Sequence, residues 1–399
     1  MESFDAFFPD LLVVAAWLLA ALTAAPLAQR VGLPAPAAFL LVGIVAGATG
    51  GAPFDGLETL PLEELGALAL YAILFQGGLA TGFREWRRSA RPILLLGLPG
   101  TAATAAALAA FAHYALRLDW GLAALVGIAL SPTDPAAVYA TLRGRSGVGR
   151  ARATLEGESG FNDPIGISLM LVAVAMLGPE GASVADGVVQ FVEQLAIGLA
   201  GGVIGAGLLL VVLRAMPRLE DGLQAVAVLG GAVAIGAATA SLHGSGFLAV
   251  YLAGLLIADA WHGREGRHHA VPESLAAGAE PVLFGLLGAT FAPLTTWTHV
   301  WQGIVLTVVT VLIVRPAVVT ALLVRSGFTR GERRLVSWGG LKGAVPLLLA
   351  AYPGLEQLDE TIDAESIVLV ATTASVLLQG AALPLVARGS ATDTVETAA

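Results

Sequence analysis

The chain contains the stretch Glu156-Gly157-Glu158-Ser159-Gly160-Phe161-Asn162-Asp163-Pro164. This stretch places acids in a segment, about 153–178, that is otherwise apolar enough to cross a bilayer. A carboxylate near the middle of a membrane costs ~3 kcal/mol or more, so acids at that depth usually have a function. Asp163 is about ten residues, or roughly 15 Å, into this segment, near the middle of a hydrocarbon core ~30 Å thick. The sequence therefore predicts a polar site at mid-membrane depth.

The composition of the whole chain is typical of a membrane protein. Of the 399 residues, 56% are hydrophobic and only 13% are charged, whereas soluble domains carry ~25% charged residues. The sequence contains no cysteine, which excludes disulfides and thiolate metal ligands. It has no basic run long enough to follow a phosphate backbone, so nucleic-acid binding is not expected. We predict an integral membrane protein whose main partner is the lipid bilayer.

The predicted fold class is all-α and polytopic. Apolar segments of about 17–25 residues are counted as spans. There are thirteen, at about 10–28, 34–50, 62–82, 92–115, 119–142, 153–178, 184–214, 222–242, 245–260, 272–293, 299–324, 333–352 and 364–387. The acidic leader before the first segment is the wrong flank for a cleaved signal peptide, so this segment is expected to be retained.

Charged residues alternate between the predicted loops. Every second loop is rich in arginine, as cytoplasmic loops are, and the remaining loops are acidic with Arg117 as their only basic residue. The arginines are Arg30, Arg84, Arg87, Arg88, Arg91, Arg143, Arg145, Arg150, Arg152, Arg214, Arg218, Arg264, Arg267, Arg325, Arg330, Arg333, Arg334 and Arg388. This alternation predicts an odd number of spans in a prokaryotic plasma membrane, with the N-terminus outside and the C-terminus in the cytoplasm.

Two candidate spans contain helix breakers at matching positions. Ser131-Pro132-Thr133-Asp134-Pro135 interrupts the fifth, and Gly339-Gly340-Leu341-Lys342-Gly343-Ala344-Val345-Pro346 interrupts the twelfth. If spans 1–6 and 8–13 are repeats, the seventh between them makes the repeats inverted, and paired interrupted spans point to a transporter binding site. We predict one membrane transport unit over 1–388 and a short polar tail, 389–399, that is disordered.

Four predicted spans bring ionisable groups to one depth. These groups are Asp134, Asp163, Arg315 and Lys342. On the sixth span, Glu158 and Asn162 are four residues apart, as are Ser159 and Asp163, so their side chains form one stripe on the helix. That stripe must face protein or water rather than lipid.

Asp163 is the candidate for the transport chemistry. A carboxyl group shielded from bulk water can hold a proton at neutral pH and release it to a competing cation. Asp134, the Ser159 hydroxyl and backbone carbonyls freed at Thr133 supply further oxygen ligands that suit an alkali cation. The alternative left open is that Asp163 and Asp134 are structural caps of the broken helices.

The other polar residues at this depth are predicted to stabilise the core. Asn162 is expected to hydrogen-bond the ends of the broken helices, and Glu158 to pair with Arg315, since a lone buried charge is costly. Lys342, beside a glycine pair, is expected to offset the carbonyl ends of the interrupted helices.

Two other functional classes are open. Gly157-Glu158-Ser159-Gly160 matches the G-x-S-G of intramembrane serine proteases, but that mechanism needs a histidine base within reach, and His113 and His243 lie near span ends. An aspartyl protease would need a Gly-x-Gly-Asp motif, which the sequence lacks. A cation channel would show ion flux that is not coupled to protons.

The two interrupted motifs and the run Glu158-Ser159-Gly160-Phe161-Asn162-Asp163-Pro164 together resemble the monovalent cation/proton antiporter family, in its branch with an Asn-Asp pair on the sixth helix. The resemblance implies electroneutral exchange of Na⁺ or K⁺ for H⁺ by an elevator-like movement, without a cofactor, in a homodimer. It implies a core domain with two crossed broken helices, at about 92–178 and 299–387, and a dimerisation or scaffold domain, at about 10–82 and 184–293.

The resemblance also implies roles for single residues. Asp163 is the cation and proton site, and Thr133, Asp134 and Ser159 help to coordinate the cation. The core-stabilising residues are Asn162, Glu158 and Arg315. Two positions depart from the family: Lys342 replaces the usual arginine, and Gln76 replaces an acid that is common there.

Overall fold

The computed structural model describes residues 2–49, 62–134, 149–178, 181–215, 221–261, 270–355, 358 and 361–396. Across these residues the secondary structure is helical, with no β-strand. The helices are α1 Glu2–Arg30, α2 Ala35–Ala48, α3 Leu62–Thr81, α4 Phe83–Arg88, α5 Ala90–Leu95, α6 Thr101–Leu116, α7 Trp120–Ala129, α8 Gly149–Leu177, α9 Val184–Ala215, α10 Asp221–Ser241, α11 Gly246–Trp261, α12 Ala270–Phe291, α13 Trp297–Val309, α14 Arg315–Leu323, α15 Arg330–Trp338, α16 Ala344–Leu355 and α17 Thr361–Glu396.

The helices match the predicted spans. In the described part of the chain, seven helical stretches are long and apolar enough to cross a membrane, and five more apolar helices are shorter. Eleven of the thirteen candidate segments lie on one helix or on helices joined by a π or 3-10 turn, and the fifth and twelfth are interrupted, which confirms the all-α polytopic class. Residues 135–142, which would continue the fifth segment, lie outside the described residues.

The C-terminal tail differs from its prediction. Residues 389–396 were expected to be disordered, but α17 continues through them to Glu396. Extending an existing helix adds one hydrogen bond per residue and needs no new nucleus. Between Gly389 and Glu396 the sequence has no proline that would stop the helix.

Two of the predicted spans contain a π-helical turn. Leu96–Gly100 joins α5 to α6 and contains Pro99, while Thr310–Val314 joins α13 to α14 just before Pro316. Proline has no N–H and clashes with the carbonyl four residues earlier, so the helix widens locally. The second turn ends at Val314, directly before the buried Arg315.

Glycines allow α2 and α12 to pack closely. A Cβ on Gly43 would collide with the backbone of Gly285, and a Cβ on Gly47 would collide with the backbone of Ala289. Small residues at such positions let membrane helices approach at backbone distance. Because α12 also packs on α3, these three helices form one closely packed group.

The two interrupted helices meet. α7 ends at Ala129, and α15 and α16 leave residues 339–343 between them without helical structure. The backbone N–H of Asp134 donates to the carbonyl oxygen of Leu341 at 2.9 Å, so the two breaks lie side by side. This contact joins the halves of the inverted repeat at the level of α8.

Candidate cation and proton site

Lys342 connects the two breaks. Its Nζ donates to the carbonyl oxygens of Pro132, at 3.0 Å, and Ser131, at 3.4 Å. Carbonyls just after a helix end lack intrahelical partners and carry the negative end of the helix dipole, so a buried ammonium is well placed there. This contact is the one predicted from the sequence. The ammonium group of Lys342 supplies both of these hydrogen bonds.

The polar stripe of α8 holds the first break. Asn162 Nδ2 donates to Thr133 Oγ1 at 2.9 Å, and the Thr133 backbone N–H donates to Asn162 Oδ1 at 3.4 Å. The hydroxyl groups of Thr133 and Ser159 are 3.0 Å apart and share a hydrogen bond. All three residues are buried. Asn162 thus fixes the extended chain of the break to α8 and leaves hydroxyl oxygens beside it.

Asp163 is the acid at the centre of this arrangement. It is only 3% exposed, and its Oδ1 atom has no hydrogen-bond partner among the described residues. Its charge interacts with those of Asp134 and Lys342. A buried polar atom without a partner is rare in proteins and calls for an explanation. The carboxylate oxygen is available to a ligand, since no side chain of the described residues occupies it.

A cleft of about 380 Å³ reaches these groups. Thr133, Asp134 and Asp163 border it, together with Gly343 at the start of α16. Ser159 and Asn162 lie behind Thr133, bonded to it, rather than among the residues that border the cleft. Gln76 does not border the cleft either, and nothing in the structure explains why glutamine stands there.

Glu158, the other acid of the polar stripe on α8, has a basic partner. Glu158 accepts two hydrogen bonds from Arg315, at 2.5 Å and 2.7 Å, and the side chains are 0% and 4% exposed. Such a bidentate pair joins α8 to α14 and satisfies both carboxylate oxygens. Of these two acids on the stripe, Glu158 is thus ion-paired, whereas Asp163 Oδ1 has no partner among the described residues.

Two residues at the site were not predicted from the sequence. Glu280 of α12 borders the cleft, and the signal that could have found it is a lone acid in an apolar segment. Tyr251 of α11 is buried, and its ring packs on Gly160 while its hydroxyl donates to the carbonyl of Gly157 at 3.5 Å. No pattern in the sequence indicates that contact.

We expect Gly160→Ala to disturb the site through Tyr251. A Cβ at Gly160 would overlap the Tyr251 ring, which is fully buried and has no free space to move into. Overpacking of this kind costs about 1–3 kcal/mol. The melting temperature of the purified variant should fall and its exchange rate should drop. The control is Gly207→Ala on α9, where a Cβ meets nothing within 4 Å; equal melting temperatures for the two variants would contradict the contact.

The serine protease alternative finds no support at Ser159. Its hydroxyl bonds Thr133, and no histidine of the described residues is its partner. His113 bonds the carbonyl of Leu118 instead, and His299 bonds Asp363. His262, His268 and His269 lie outside the described residues.

Known proteins of one family are similar to this chain along most of its length. The family model described as "Sodium/hydrogen exchanger, transmembrane" matches residues 17–389. A K(+)/H(+) antiporter NhaP2 from Shewanella sp. (strain MR-4) is 34% identical over 395 residues, which are 97% of this chain and 67% of that protein. The Na(+)/H(+) antiporter NhaP of Pseudomonas aeruginosa is 30% identical over 356 residues, covering 82% of this chain and 81% of that one.

A solved structure shows the same fold. The sodium proton antiporter MjNhaP1 from Methanocaldococcus jannaschii superposes with a TM-score of 0.77 at 20% identity, covering 98% of this chain and 100% of that one. The crossed breaks, the buried Asn-Asp pair and these matches lead to one conclusion. The chain belongs to the sodium/hydrogen exchanger family of monovalent cation/proton antiporters.

Proposed function

We propose that Asp163 is the exchanging group of this antiporter and binds either a monovalent cation or a proton, in turn. The observation that carries the proposal is the buried Asp163 carboxylate, with its Oδ1 atom lacking a partner among the described residues, beside a cleft at the crossing of the two breaks. A buried carboxylate is costly without compensation, so it favours whichever positive ligand reaches it.

The remaining cation ligands in this proposal are oxygens around Asp163. At the cleft, Asp134 contributes a carboxylate and Thr133 a hydroxyl. The Ser159 hydroxyl lies behind Thr133 and joins this set through its hydrogen bond to Thr133. Such hard oxygen donors suit Na⁺ or K⁺. Asn162, Glu158, Arg315 and Lys342 hold the frame rather than the ion. These cations and the proton are transported substrates, and the proposal includes no cofactor.

Exchange through one carboxylate is electroneutral. If a proton must leave Asp163 before a cation binds, and the reverse on the return, each cycle moves one charge in each direction. We take the core, at about 92–178 and 299–387, to move against a scaffold, at about 10–82 and 184–293. The proposed assembly is a homodimer in the plasma membrane, with the N-terminus outside and the C-terminus in the cytoplasm.

Transport in proteoliposomes tests this function and identifies the cation. An imposed pH gradient should dissipate when Na⁺ or K⁺ is added outside, and choline, which is too large for a site built of close oxygens, should have no effect. Adding a K⁺ ionophore or an opposing membrane potential should leave the rate unchanged if exchange is electroneutral. Cation-independent dissipation, or a current that scales with ion flux, would contradict the proposal and favour a channel.

A further inference from the structure

A third carboxylate borders the cleft that holds Asp134 and Asp163. Glu280 lies on α12 in the stretch Ala277–Leu294, which is apolar and long enough to cross a membrane, and it is the only charged residue there. Leu283 and Phe284, three and four residues further on, also border the cleft. Glu280 therefore lies on the face of α12 that is turned towards the site. An acid in a membrane span that faces protein is a candidate functional group.

Glu280 reaches the cleft from another group of helices. Asp134 follows α7 and Asp163 lies on α8, whereas α12 packs mainly on α2 and α3. The collision that a Cβ on Gly43 would make with Gly285 shows how closely α12 is held to α2. If α7 and α8 move against this group during transport, Glu280 stays with α2 and α3. Its carboxylate then contributes to the site only while the cleft has the form described here.

The side chains that border the cleft include more acidic than basic groups. Of the described residues that border it, three are acidic and none is basic. Lys342, a cationic side chain at the crossing, directs its Nζ at the carbonyls of Ser131 and Pro132. A narrow cleft lined by charges of one sign in low-dielectric walls concentrates counter-ions inside it. The arrangement thus favours entry of a cation beyond what Asp163 alone would give.

We propose that Glu280 is a further cation-binding residue, whose carboxylate draws a monovalent cation into the cleft and holds it beside Asp134 and Asp163. The proposal rests on the proposed function and adds to it a carboxylate from α12. Glu280 is not the exchanging group: the proton that leaves when the cation binds comes from Asp163.

The test compares Glu280→Gln with wild type in two assays. In proteoliposomes, the apparent KM for the transported cation should rise about tenfold, while the maximal rate is largely retained. A change of this size is expected when one of two unit charges on the order of 10 Å apart is removed at an effective dielectric constant of about 20. In detergent, the cation concentration that gives half of the maximal increase in melting temperature should rise by the same factor, since a ligand that binds the folded state stabilises it. Glu280→Asp should restore most of the affinity.

The matched control is Glu193→Gln on α9. Glu193 is also an acid in a membrane span, but its side chain is exposed on the outer face of that helix and does not border the cleft. The apparent KM of Glu193→Gln and the cation dependence of its melting temperature should equal those of wild type. An unchanged KM and melting response in Glu280→Gln, or an equal shift in Glu193→Gln, would overturn the inference. A wild-type protein without cation-dependent exchange would instead overturn the proposed function.

Discussion

Asp163→Asn is expected to abolish cation/proton exchange while leaving the protein folded. The amide keeps the size of the side chain but can neither bind a proton nor compensate a cation's charge. The Oδ1 atom of Asp163 has no hydrogen-bond partner among the described residues, so the amide replaces no side-chain contact at that atom. Dissipation of the pH gradient in proteoliposomes should fall to the level of empty liposomes. We expect a loss of at least about a hundredfold, because the variant removes the charged ligand of a desolvated cation.

A stability measurement and a control variant accompany this prediction. The melting temperature of Asp163→Asn should be at least that of wild type, since removal of an unpaired buried charge is favourable. The control is Glu64→Gln, which removes an exposed acid near the start of α3 and should exchange normally. Retained exchange in Asp163→Asn would refute the assignment of the exchanging group.

The second large effect is expected at the Glu158–Arg315 pair, and it concerns stability. Arg315→Met leaves Glu158 as a lone buried charge, and Glu158→Gln leaves Arg315 in the same state. Breaking a buried pair from one side costs about 3–5 kcal/mol. Both single variants should lower the free energy of unfolding, measured by denaturant titration in mixed micelles, and both should lower expression.

A double variant measures the interaction between the two charges. Glu158→Gln combined with Arg315→Met removes both charges at once, so we expect it to be clearly more stable than the sum of the single effects predicts. The exposed pair Arg88–Glu85, whose removal should change stability by at most about 1 kcal/mol, is the comparison for a surface contact. Additive effects at Glu158 and Arg315 would contradict the observed bidentate contact.

Much of the fold and site could be predicted because the membrane restricts what a sequence can do. Apolar segments have to be helices of a given length, and Asp163 and Glu158 could not face lipid, so a polar interior followed. The contact of Lys342 with the carbonyls after α7, and the pairing of Glu158 with Arg315, follow from the same reasoning about lone charges and helix ends. The structure has both contacts.

The features that were missed depend on tertiary contacts. The ring of Tyr251 against Gly160 joins residues about ninety positions apart, and neither one carries a pattern by itself. The π turns depend on how the helix relaxes at Pro99 and before Pro316, and apolar periodicity does not report that. Glu280 could have been found by the rule that was applied to Asp163, because it is the only charged residue in the apolar stretch Ala277–Leu294.

Proton release on cation binding shows whether Asp163 exchanges a proton for a cation. Purified protein in a lightly buffered detergent solution is mixed with Na⁺ or K⁺ at constant ionic strength, and the pH change is recorded. If one carboxylate holds either ligand but never both, wild type should release roughly one proton per protomer, and Asp163→Asn should release none. Cation binding without proton release in wild type, or equal release in the variant, would contradict the account.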